Sequence, residues 1–247
     1  MCKRKRKGKR GKTIDGQSEQ DAFGGKMNLS YQFFRLGAQV VFSALFNVRV
    51  LGRENVPQEG PLLILSNHQS YLDPVLCGLG LHRELDYLAR EGLFSNRYFG
   101  SFIRSLNAFP VQRDRADTRA MREVIRRLKE GRAITMFPEA TRSADGRIRA
   151  IKGGFDLIVR RAEAVTIPTV IDGAYEAWPR HQMLPGMGRI YVQFGKGITS
   201  EEAKKMGREE FVNEINERLR KMQNQLRRRY GKEPFNYEGN NNVSEDV

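Results

Sequence analysis

The sequence predicts an α/β fold: a single domain with a largely parallel or mixed sheet flanked by helices, preceded by an N-terminal helix that reads as membrane-interfacial. Three observations predict it. Short apolar runs recur between Val50 and Phe194 and alternate with stretches of helical periodicity, the pattern of strands and helices in an α/β sheet. The 247 residues, 39% of them hydrophobic, are enough for one such domain with a sizeable core. Polar clusters directly follow three of the apolar runs, and functional groups in open α/β sheets gather at the carboxyl ends of strands.

Residues 1–26 form a basic, polar arm expected to be disordered. Residues 27–49 follow as an apolar helix, "NLSYQFFRLGAQVVFSALFNVRV" from Asn28. It is near the length that spans a bilayer core. However, Gln32, Arg35, Gln39, Ser43 and Asn47 put a polar stripe on one face. That favours a helix lying in the membrane interface over one packed on the domain or one that spans. The domain proper is expected over residues 50–230. Its strand candidates are Leu62–Leu65, Asp86–Ala89, Ala108–Val111, Ala133–Phe137, Thr166–Ile171 and Arg189–Phe194.

Three helices are expected between and after the strands. "DTRAMREVIRRLKEG" places Ala120, Met121, Val124, Ile125 and Leu128 on one face, with Asp117 as N-cap and Gly131 as the residue past the C-cap. A second helix starts at Gly153–Gly154 and runs to Arg161. A third, Glu201 to Arg229, carries Phe211, Ile215, Leu219, Met222 and Leu226 in a seam. From Gly231 to residue 247 the chain is polar and Asn-rich, which predicts a disordered tail.

The formal net charge is +14. It points to an anionic partner: nucleic acid, a membrane surface or a phosphorylated substrate. Eight of the positive charges sit in Lys3–Lys12, and without them 35 basic residues face 29 acidic ones. The arm is open to three readings: a solvated tail, a contact with anionic lipid headgroups at about 1 kcal/mol per charge, or a nucleic-acid contact. No zinc, KH or RNP-like pattern accompanies the charge, so no nucleic acid is expected. Cys2 and Cys77 are the two cysteines. They make neither a disulfide framework nor a zinc pattern, and a reducing compartment fits.

The first polar cluster is "SNHQSYLDP" after Leu62–Leu65. A histidine is the side chain suited to a general base near neutral pH, provided a partner fixes its tautomer. His68 and Asp73 are close enough along the chain for the carboxylate to hold Nδ1–H and leave Nε2 free. Asp73 before Pro74 also fits a helix N-cap with proline at N1, and both roles are open. Cys77 reads as a buried, inert thiol on an apolar helix face, and no G-x-S-x-G elbow is present. The second and third clusters are "QRD" after Val111 and "PEATRS" after Phe137. Arg113 and Arg142 could take a phosphate or make surface ion pairs. Glu139 could orient Arg142 or an acceptor, and Thr141 could donate to a phosphate oxygen. No P-loop, H-E-x-x-H or Cys/His cluster occurs, so neither nucleotide nor metal is implied.

These blocks resemble those of the glycerolipid acyltransferases, specifically the 1-acyl-glycerol-3-phosphate (lysophosphatidic acid) acyltransferases. The family's N-H-x-x-x-x-D block matches "NHQSYLD". Its second block matches "FPVQR", its F-P-E-G-T-R-S block matches "FPEATRS", and its proline-centred strand matches "VTIPTVI". A Lys-Gly element follows as "IKGGF". The resemblance implies that His68 is the base and Asp73 its orienting acid. It assigns Arg113, Glu139, Thr141 and Arg142 to the glycerol phosphate, places Lys152 with them on the substrate, and gives Pro168 a part in acyl binding or catalysis. It further implies phosphatidic acid as product, acyl-CoA or acyl carrier protein as co-substrate, and no other cofactor. The implied setting is a membrane surface with anionic lipids, at the cytoplasmic face. Another lysophospholipid as acceptor is the alternative. Two departures stand out: Ala140 and Asn107 occupy positions where the family has glycine. If position 140 needs a positive φ, alanine there costs about 1 kcal/mol.

Overall fold

The computed structural model describes residues 29–111, 118–179, 182 and 184–237. The described residues open with helix α1 (Leu29–Leu45), then strand β1 (Arg49–Leu51) and strand β2 (Leu62–Ser66). Helix α2 (Asp73–Leu79), β3 (Leu85–Arg90), α3 (Arg97–Ser105), β4 (Ala108–Val111), α4 (Thr118–Lys129) and β5 (Ala133–Met136) follow. After a long loop come α5 (Phe155–Ala162), β6 (Val165–Asp172), the short α6 (Ala174–Ala177), β7 (Tyr191–Phe194), α7 (Ser200–Lys205) and α8 (Arg208–Arg229).

The seven strands among the described residues form one sheet in the order β1-β7-β6-β2-β5-β3-β4. The pairs from β6 through β2, β5 and β3 to β4 are parallel; β7 runs antiparallel to β6, and β1 parallel to β7. The sheet is therefore mixed, with a parallel centre that needs both faces covered. Alternation along β2 serves both faces. Leu63 and Leu65 enter one core cluster with Leu128, Phe155, Phe211 and Leu219, while Leu62 and Ile64 enter the other with Phe46, Leu76 and Phe194. This is why "LLIL" reads as an unbroken apolar run.

Several expectations are corrected. The N-terminal helix ends at Leu45 and β1 takes residues 49–51, so the helix is shorter than 27–49. The final helix is two helices parted at Met206–Gly207, and the first of them, α7, begins at a capping box formed by Thr199 and Glu202. Residues 231–237 are not a disordered tail. Lys232 pairs with Asp172 at 2.8 Å, and Phe235 exchanges two hydrogen bonds of 2.8 Å with the Asn224 side chain on α8. Gly131 does end α4 with φ +75°. Its N–H reaches Leu128 O at 2.8 Å and Arg132 N–H reaches Arg127 O at 3.1 Å, the paired bonds of a Schellman motif. Asp117, the expected N-cap, lies outside the described residues.

The polar stripe of α1 also turns out differently. Arg35 faces inward and donates to Leu81 O at 2.6 Å. Tyr31 and Phe46 are buried, and Ala38 and Phe42 pack beside them. The large apolar side chains Phe33, Leu36 and Val40 face outward, Phe33 being 74% exposed. No helix among the described residues is long and apolar enough to cross a membrane.

Candidate functional site

The loops after β2 and β5, adjacent parallel strands, meet at one edge of the sheet. Asn67 pins the first loop. Its side-chain amide donates to Ile171 O at 2.9 Å and accepts from Ile171 N–H at 2.8 Å. In effect it extends the β2–β6 pairing by one side chain. His68 follows, with its ring stacked on Phe137 at 4.2 Å between centroids.

Nδ1 of His68 lies 2.7 Å from Oδ2 of Asp73. The same oxygen accepts the backbone N–H of Gln69 at 2.5 Å and of Ser70 at 2.7 Å. Asp73 is therefore the first residue of α2 and not its N-cap; its carboxylate turns back to the loop before it. That turn closes the five-residue separation and fixes the ring. Asp73 is fully buried, whereas the His68 side chain keeps 12% exposure. Nε2 has no protein partner among the described residues, so it is the nitrogen open to a ligand. With Nδ1–H given to the carboxylate, Nε2 carries the lone pair.

Glu139 makes contacts that the sequence did not lead one to expect. Its Oε1 accepts His68 N–H at 2.9 Å and its Oε2 accepts Arg149 N–H at 3.1 Å. It is buried, and burial pushes its carboxyl up to about 8, with those two N–H bonds acting in the opposite direction. Glu139 thus ties the histidine loop to the β5 loop from within and does not orient Arg142. A second tie joins Ser143 N–H to His68 O at 2.7 Å.

Arg142 lies over the Tyr71 ring at 3.6 Å, a cation–π contact that holds the guanidinium in place. Its Nη1 is buried and has no hydrogen-bond partner among the described residues. A buried cationic donor without an acceptor is costly, and an anion held there would supply the acceptor. Thr141 is half-buried beside it, and the Lys152 side chain is exposed. Pro168 is buried inside β6 next to Leu65. Its carbonyl accepts Gly195 N–H at 2.8 Å just past the end of β7, so its missing N–H falls where that ladder stops. Arg113 lies outside the described residues. Cys77 is buried, and burial pushes its thiol up to about 12, in keeping with an inert side chain.

Sequence reasoning did not single out Asn67, Phe137 or Tyr71. Their roles depend on partners in β6, His68 and Arg142, which spacing does not reveal. Ala140 and Asn107 have φ of +59° and +63°, so both glycine replacements fall where L-residues are strained. Asn107 offsets part of that cost through a 2.9 Å bond from its amide to Glu84.

A family model described as Acyltransferase matches residues 47–172. The 1-acyl-sn-glycerol-3-phosphate acyltransferase of Bacillus subtilis is 26% identical over 201 residues, covering 79% of this chain and 98% of that protein. The protein of the same description from Streptococcus pneumoniae is 27% identical over 202 residues, covering 80% and 70%. The crystal structure of the 1-acyl-sn-glycerophosphate (LPA) acyltransferase of Thermotoga maritima superposes with a TM-score of 0.71 at 26% identity, over 80% of this chain and 79% of that one.

Proposed function

The chain belongs to the acyltransferase family, and from that premise we propose that it transfers a fatty acyl group to the 2-hydroxyl of 1-acyl-glycerol-3-phosphate. One observation carries the reading: the His68–Asp73 pair at 2.7 Å, with Nε2 open, on a loop tied to the one that bears Arg142 Nη1, which has no partner among the described residues. Nε2 takes the proton of the acceptor hydroxyl as its oxygen attacks the thioester carbonyl of acyl-CoA or acyl carrier protein. Asp73 steadies the imidazolium so formed. When the tetrahedral adduct collapses, the C–S bond breaks and the imidazolium proton passes to the departing thiolate. The products are phosphatidic acid and the free thiol. The donor contributes no group that stays on the protein.

Arg142 then binds the acceptor phosphate. Replacing it by alanine is expected to raise the acceptor KM about ten- to a hundredfold, the effect of one lost charge-assisted contact, with the donor KM little changed. Lysine should restore only part of the loss, because it neither forks nor stacks flat on Tyr71. Steady-state kinetics with each substrate varied in turn would check this. A change confined to the donor KM would mean that Arg142 holds the donor, whose phosphates it could equally match.

The site also needs access to lipid, and two surfaces support a place on the cytoplasmic face of a membrane. One is the outward side of α1. The other is α3 with the turn before it, where Leu93, Tyr98, Phe99 and Phe102 are exposed, Tyr98 by 86%. Phe34 and Phe102 touch edge-to-face at 5.3 Å, which joins the two patches. Between Glu91 and Asp114 the chain has no acidic residue, yet Arg97 and Arg104 lie within α3. An apolar surface flanked by cations suits an anionic leaflet.

Replacing Phe33, Leu36 and Val40 together by serine is expected to release most of the protein from vesicles at low and high salt alike. Each buried apolar side chain contributes on the order of 1.5–3 kcal/mol, and salt screens only charge. Co-sedimentation with phosphatidylcholine vesicles would measure it. Full retention of the triple variant at high salt would exclude α1 as the anchor. Removing the whole segment is the poorer experiment, since Tyr31 and Phe46 belong to the core.

A further inference from the structure

The segment after α8 runs back to the loop between β5 and α5, and a chain of hydrogen bonds connects them. Tyr237 hydroxyl donates to Oε1 of Gln223 on α8. The same hydroxyl accepts Ile148 N–H at 3.0 Å. Gln223 in turn donates to Gly146 O at 2.9 Å. Gly146 O also accepts from the Gln69 side chain at 2.7 Å, and Gln69 Oε1 accepts Tyr175 N–H at 3.3 Å.

One carbonyl is thus shared by the C-terminal helix and by the residue next to His68. Gly146 can present it because its φ is +84°, and a Cβ there would reach 3.5 Å from the Phe235 ring. Arg149, one residue past Ile148, is held by the Glu139 carboxylate that also holds His68. The Tyr237 ring is fastened independently of the hydroxyl. Phe235 meets it edge-on at 6.3 Å, Arg220 lies over it at 4.9 Å, and it packs against the main core cluster.

We propose that Tyr237 is a positioning residue: its hydroxyl sets the 139–149 loop, and through that loop the Thr141–Arg142 face that receives the acceptor phosphate. The proposal rests on the acyl-transfer reading for its kinetic consequence but not for the tether itself. Among the described residues the hydroxyl is the only part of Tyr237 that bonds to the loop, so phenylalanine removes the tether and keeps the ring.

The test is Tyr237→Phe in the full-length chain, with two measurements. Hydrogen–deuterium exchange of a peptide spanning 143–150 should become faster in the variant, because Ile148 N–H loses its acceptor, while peptides from β2 and β6 keep their protection. In acyl transfer with 1-acyl-glycerol-3-phosphate, the acceptor KM should rise about tenfold, as expected for one hydrogen bond whose loss leaves a buried donor unpaired, and the donor KM should stay put. A merely structural hydroxyl would lower Tm and leave the KM ratio unchanged, and that result overturns the proposal. So does unchanged exchange at 143–150. Full activity in His68→Ala would refute the catalytic reading separately, and the exchange measurement alone would then decide the tether.

Discussion

Replacing His68 by alanine is expected to lower acyl transfer about 10²–10⁴-fold, the usual contribution of a general base, with the fold retained. The separation of effects follows from which atoms carry structure. The backbone of His68 does: its N–H goes to Glu139 and its carbonyl accepts Ser143 N–H. Among the described residues the imidazole contributes only the Asp73 contact and the stack on Phe137. Alanine keeps the backbone bonds, and Asp73 keeps the N–H donors of Gln69 and Ser70. Initial rates beside a circular dichroism melt would measure both. A folded variant with more than a tenth of the wild-type rate would remove His68 from the chemistry.

Asp73→Asn is expected to lose nearly as much rate, again about 10²–10⁴-fold, and here stability should fall as well. An asparagine oxygen can stand where Oδ2 stands and accept the same three donors. The amide nitrogen then occupies the place of Oδ1, which is buried and has no partner among the described residues. An unpaired buried donor costs about 1–3 kcal/mol, so Tm should drop. The rate falls for another reason. The neutral amide no longer offsets the charge that His68 acquires when it takes the hydroxyl proton. If kcat stays within a few-fold of wild type, the carboxylate only holds the loop and the base works without it.

What the sequence discloses depends on where the determining partner lies. β2, β4 and β5 can be read because their own side chains carry the apolar signal, and the end of α4 because Gly131 is needed for its left-handed turn. The strain at Ala140 can be anticipated from the glycine usual at that position in the family. The three-residue β1 cannot be separated from the apolar segment before it. α3 is likewise missed, since its apolar residues meet no core and its Asn96 cap resembles loop sequence.

The inward turn of Arg35 depends on Leu81 O, and the clamp of Glu139 on two backbone N–H groups; neither partner has a side-chain signature. The 231–237 segment looks disordered because its composition is polar. Phe235 and Tyr237 order it only because Asn224, Gln223 and Arg227 wait on α8, where Arg227 covers Phe235 at 3.8 Å. The His68–Asp73 pair is the reverse case. The spacing alone permits two roles, and the backward turn of the carboxylate toward Gln69 and Ser70 decides between them.

If α1 seats the protein in a leaflet as proposed, its outward apolar side changes what concentration means for this protein. A molecule free in water meets its acceptor in proportion to the number per unit volume. One seated in a leaflet by Phe33, Leu36 and Val40 meets it in proportion to its share of the surrounding lipid. Tethering to the surface acts as an effective concentration set by geometry. On the proposed function, mixing the lysolipid with inert phospholipid slows the reaction even when the total amount is unchanged, whereas adding water around intact vesicles at a constant donor concentration does not. The quantity to which such an enzyme responds is the composition of a two-dimensional film.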